Sequence, residues 1–91
     1  MVVIVLEAAP IPLRGELTKW MLETKPGVFV GNINALVRTK LWKKIYDYDN
    51  SINALMIFNA KNEQGFDMLM NGEPRRGVID IEGINLIKVK E

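Results

Sequence analysis

The sequence predicts an α+β sandwich, with two helices on one face of a mainly antiparallel sheet. Three observations carry that expectation. The chain opens on an aliphatic, β-branched run, Val2-Val3-Ile4-Val5-Leu6. Two amphipathic stretches of helical period follow, one on each side of the short apolar run Val28-Phe29-Val30. Then come paired apolar segments flanking a polar turn, the signature of a hairpin. The predicted order is β-α-β-α-β-β with a further pair of strands at the C-terminus, and a ferredoxin-like arrangement is the natural expectation for it.

Each element has its own reason. Val2 to Leu6 has the uninterrupted pattern of a strand buried on both faces. Pro10 and Pro12 forbid its continuation and stiffen the exit. From Leu13, apolar residues at Leu13, Leu17, Trp20 and Met21 fall on one face of a helix that ends before Pro26-Gly27. After the strand Val28 to Val30, Asn32 or Asn34 can cap a second helix with the face Ile33, Val37, Leu41 and Ile45. Leu36 and Trp42 lie alongside it, and Arg38, Lys40, Lys43 and Lys44 occupy its other side. The segment from Tyr46 to Ser51 reads as a turn. Ala54 to Phe58 and Phe66 to Met70 then form a hairpin around Lys61–Gly65. Two tail strands are predicted at Val78 to Ile81 and Leu86 to Val89, and all 91 residues form a single domain.

Composition narrows the chemistry. A chain of this length buries only roughly 60–65% of its unfolded surface. At 48% hydrophobic residues it carries more apolar side chain than one small core hides. Self-association is the simplest outlet, and a symmetric dimer its commonest form. Twelve basic and 11 acidic residues give a net charge of +1, so nucleic-acid binding would have to come from charge placement. No cysteine is present, which removes disulfides and thiolate metal sites. No histidine is present, which removes Ser–His and Cys–His nucleophiles and imidazole ligation. The apolar start is too short to span a membrane and lacks the basic flank of a secretory leader. A soluble cytoplasmic protein is expected.

Two features remain that can carry function. Arg75 and Arg76 lie between Pro74 and Gly77, a setting that presents both guanidinium groups to solvent. Their planar forks suit phosphate oxygens, and their charge is fixed at any working pH. Solvation of a loop is the alternative reading of the same residues. Glu7 follows the first strand, and two copies facing each other in a dimer could hold Mg²⁺ and activate water against a phosphodiester. The plainer reading is a partly exposed glutamate salt-bridged to Arg14, and it is favoured because a single carboxylate per chain is a thin metal site. Asp47 and Asp49 read as turn residues rather than ligands. The four basic residues from Arg38 to Lys44 can meet phosphates or simply face water. Trp20 and Trp42 read as core. Met56, Met68 and Met70 read as core filling or an adaptable contact surface.

Certain motifs add a family. They are Leu13-Arg14-Gly15 followed by Trp20-Met21-Leu22-Glu23, then Pro26-Gly27-Val28-Phe29-Val30-Gly31 ahead of a helix with Trp42, then Gly65-Phe66, Pro74-Arg75-Arg76 and Asp80-Ile81-Glu82-Gly83. In this order and spacing the chain resembles CRISPR-associated protein two of the type I-E systems, from the first strand to about Lys88. The resemblance implies a ferredoxin-like homodimer that bridges two dimers of CRISPR-associated protein one, the integrase. Duplex prespacer DNA would lie across it during spacer acquisition. It also implies phosphate contacts for Arg14, Arg75 and Arg76, and docking of the C-terminal strands, about 78–91, on the integrase. Glu63, Asp80, Glu82 and Leu86 would belong to that partner interface. Pro12 departs from the pattern, standing where relatives can carry a further arginine. The wider family implies a second activity, a Mg²⁺-dependent endonuclease resting on an aspartate at the end of the first strand. Here the nearest acid is Glu7.

Overall fold

The chain runs β1 (Val2–Leu6), α1 (Ile11–Leu17), β2 (Leu22–Lys25), β3 (Val28–Gly31), α2 (Ala35–Tyr48), β4 (Ala54–Asn59) and β5 (Phe66–Asn71). These elements come from a computed structural model that describes residues 1–72. The five strands form one sheet in the order β2-β3-β1-β4-β5, with every neighbouring pair antiparallel. This is the expected α+β, ferredoxin-like architecture, with β5 added to β4 as a hairpin. The tail strands predicted at 78–81 and 86–89 lie outside the described residues.

Both helices pack on one face of the sheet. Ile4 of β1 sits opposite Phe29 on β3 and Met56 on β4, and all three are fully buried. Leu13 and Leu17 of α1 and Leu41 and Ile45 of α2 close over them. Asn34 starts α2, its side-chain oxygen accepting the N–H of Val37 at 2.8 Å. Trp42 packs against the rim of this core as expected.

Four expectations are corrected. The first helix stops at Leu17 instead of running to Pro26. The N–H groups of Trp20 and Met21 both return to the Leu17 carbonyl, which ends the helix in a tight turn. The chain then becomes strand β2, joined to β3 by Pro26-Gly27, with Lys25 opposite Val28. Gly27 has φ +81, a conformation that glycine adopts without cost, and a side chain there would collide with the Leu6 carbonyl. Proline then glycine is the signature of a type II turn, with the positive φ at the glycine, and such a turn can reverse a strand as well as stop a helix.

Trp20 moves out of the core for the same reason. It follows the last helical turn and is 53% exposed. The predicted turn at Tyr46 is instead the last part of α2, which continues to Tyr48. Lys43 and Asp47 pair at 2.6 Å one helical turn apart and support that extension. Finally, β1 is not buried equally on both faces. Val2, Ile4 and Leu6 are buried, whereas Val3 and Val5 are only half-buried.

That last difference exposes the main feature of the architecture. The strand registers place Val3 and Val5 on the same face as Val28 and Val30 of β3 and Leu55 and Ile57 of β4. Met68 and Met70 of β5 and Leu22 of β2 extend the face to both edges. No helix of the described residues covers it. Leu22 is 69% exposed and Met70 41% exposed, whereas Leu55 is buried at 5%, so the edges of this face are surface and its middle is not.

Candidate nucleic-acid interface

One end of the sheet holds Glu7 and, through Glu23 and Gly27, Arg14. The end of β1, the β2–β3 turn, the start of β4 and the end of β5 all meet there. The Leu6 N–H donates to the Gly27 carbonyl at 2.8 Å, and the Glu7 N–H to the Asn53 carbonyl at 3.0 Å. Asn53 Nδ2 in turn donates to Glu7 Oε1 at 2.9 Å. Asn71 Nδ2 donates to the Ile52 carbonyl at 2.9 Å. Gly72 lies against Ile52 and Asn53, at φ +78 and with no room for a Cβ. The chain therefore leaves the described region beside Asn53 and Glu7. Arg75 and Arg76, which follow three and four residues after Gly72, lie outside the described residues.

Glu7 does not pair with Arg14, the partner expected for it. Arg14 Nη2 meets Glu23 Oε2 at 2.8 Å, and the side chains are 40% and 19% exposed. The same Glu23 oxygen accepts the Gly27 N–H at 2.9 Å. That backbone donor is the chief reason the Glu23 carboxyl ionises below its ordinary value, with Arg14 adding to the effect. The partner was missed because Glu23 was placed on the first helix, when it belongs to the neighbouring strand β2. Ala8, directly after Glu7, has φ +53, a left-handed backbone uncommon for alanine.

The other candidates separate from this end. Glu63 sits exposed in the β4–β5 loop, at the opposite end of the sheet, where Asn59 Oδ1 receives the Met1 amino group. Asp80, Glu82 and Leu86 lie outside the described residues. On α2, two of the four basic side chains are engaged: Lys43 with Asp47, and Lys44 with Glu16 at 3.5 Å. The Arg38 guanidinium stacks 3.8 Å from the centre of the Phe58 ring. Lys40 has no ion pair among the described residues. Asp49 bonds the Ser51 N–H and hydroxyl, which hold its carboxyl below the ordinary range and make it a turn residue as expected.

Among the described residues no three acidic, histidine or cysteine side chains cluster. Glu7 Oε1 accepts from the Asn53 side-chain amide. No helix of the described residues is long and apolar enough to cross a membrane.

The arrangement is thus a half-exposed guanidinium held against Glu23 beside the β2–β3 turn, next to an apolar sheet face that no described helix covers. A family model described as CRISPR-associated protein (Cas_Cas2CT1978) matches residues 1–86, nearly the whole sequence. The match includes the β1 end, Arg14, the Pro26-Gly27 turn and the Arg75-Arg76 pair, and the chain belongs to this CRISPR-associated, Cas2-type family.

Proposed function

We propose that this chain is the homodimeric adaptor of CRISPR spacer acquisition, holding duplex prespacer DNA and bridging two dimers of the integrase, CRISPR-associated protein one. The observation that carries the reading is an apolar sheet face, with Val3, Val5, Val28, Val30 and Ile57, that no described helix covers. A contiguous surface of valine, leucine, isoleucine and methionine is costly to leave in water, and a second copy supplies the matching face. Packing two such faces sets two copies of the Glu7–Arg14 corner on one body. Arg14, Arg75 and Arg76 of both copies then meet phosphates.

Such contacts position a duplex without reading it, since phosphates carry no sequence information. An adaptor that accepts any foreign fragment needs that indifference. If both copies of Arg14, Arg75 and Arg76 engage phosphates, log affinity should fall against log salt with a slope of roughly −5, from about −0.9 per phosphate. Glu63, Asp80, Glu82 and Leu86 are assigned to the integrase interface in this reading. Glu63 supports it in one respect, being exposed at the end of the sheet away from the DNA corner.

The test is to mix the full chain with the integrase and a short split-ended duplex, then measure mass by light scattering after size exclusion. An assembly of two copies of this chain, four integrase subunits and one duplex is the expected result. A dimer that elutes alone would overturn the adaptor reading. The nuclease reading through paired Glu7 and Mg²⁺ takes second place, because no acidic cluster stands among the described residues. Cleavage lost on chelation and in Glu7→Gln would revive it.

A further inference from the structure

Arg14 is the phosphate-contacting candidate whose surroundings the structure shows, and it is already engaged. Its Nη2 lies 2.8 Å from Glu23 Oε2, yet 40% of the side chain still faces solvent. Glu23 is fixed from behind by the Gly27 N–H at 2.9 Å. Gly27 is itself tied to β1 through Leu6. The carboxylate is therefore held in place beside Arg14 by a backbone N–H as well as by the guanidinium.

A phosphate approaching Arg14 meets a positive charge with a negative charge a few ångströms behind it. Coulomb's law makes that second charge cancel about half of the attraction. We infer that Glu23 competes with the duplex for Arg14, so that the Arg14–Glu23 pair sets how tightly this chain grips DNA. This inference rests on the reading in which Arg14 meets phosphate. The guanidinium keeps several N–H donors to offer a phosphate while one remains on Glu23. Binding is then a sharing of Arg14 rather than its release, and the grip is moderate by construction.

The test is fluorescence anisotropy of a labelled duplex of arbitrary sequence against the full chain, as wild type, Glu23→Gln, Arg14→Ala and the double variant. Glutamine keeps an acceptor for the Gly27 N–H, and a circular-dichroism melt of each variant confirms folding. Glu23→Thr, which suits an edge strand, removes the same charge by a second route. With Arg14 present, Glu23→Gln should tighten binding roughly threefold to tenfold at low salt. It should also steepen the salt slope by less than about one unit per chain, since Arg14 already shares one phosphate in the wild type. In the Arg14→Ala background the gain should vanish.

An equal gain without Arg14 would overturn the inference, reducing Glu23 to one more repelling charge. Weaker or unchanged binding in Glu23→Gln, with Arg14→Ala still impaired, would also overturn it and leave the phosphate-contact reading intact. If Arg14→Ala binds like wild type, the phosphate reading of Arg14 itself fails, and the inference fails with it.

Discussion

The two faces of the sheet are built from the same alternation and meet opposite fates. On the helix side, Ile4, Phe29 and Met56 are fully enclosed by Leu13, Leu17, Leu41 and Ile45. On the other side, Val3, Val5, Val30 and Ile57 are equally apolar, yet no described helix covers them. A strand sends successive side chains to opposite faces, so the two described helices, both on one side, close only one of them. The lesson is a division of labour. The face beneath the helices holds the buried core of the chain, and the other is an apolar surface that the described helices leave to be covered by something else.

That comparison breaks or sharpens under specific changes. The largest effect is expected from Phe29→Ala on the closed face, which should cost about 3–5 kcal/mol in denaturant unfolding at fixed protein concentration. A loss below about 1 kcal/mol would mean the enclosed face is not the stability core. Ile57→Lys on the open face should leave the circular-dichroism spectrum folded while halving the mass seen by light scattering. Enclosing an unpaired ion costs several kcal/mol, hence at least about a hundredfold in the dissociation constant. Unchanged dimer mass in that variant would show that the face is not the dimer interface.

Smaller changes probe the helices that make the closed face closed. Asn34→Ala removes the cap of α2 and should lower stability by about 1 kcal/mol, read as a shift in the unfolding midpoint. Acid should have the mildest effect. Glu16, Glu23 and Asp49 ionise below their ordinary values of 4.5, 4.5 and 3.8, held there chiefly by Lys19, the Gly27 N–H and Ser51 respectively. Because the folded values are depressed, their stabilisation is complete above the ordinary values. It is lost as pH falls through the lower, folded ones. Melting temperatures measured from neutral pH downward should stay level and then decline below about pH 4.5. A melting temperature that rises on acidification would contradict these pairings.

The sequence by itself determined much of this molecule. The β-branched run of β1, the cap and face of α2, and the polar loop between β4 and β5 are local signals, and each formed where its residues indicated. The motif order placed the chain in its family for the same reason, since spacing along the chain is what a sequence records. Tertiary structure decided the rest. Leu22-Glu23-Thr24-Lys25 continues a helical spacing that begins at Leu13, and it becomes a strand because pairing with β3 outweighs that local preference. With β2 in place, Glu23 rather than Glu7 lies beside Arg14, a juxtaposition that no spacing along the chain encodes. Which face stays open was equally hidden. An unbroken run such as Val2-Val3-Ile4-Val5-Leu6 reads the same whether one side or both are covered, and only the packing of the helices chooses between them.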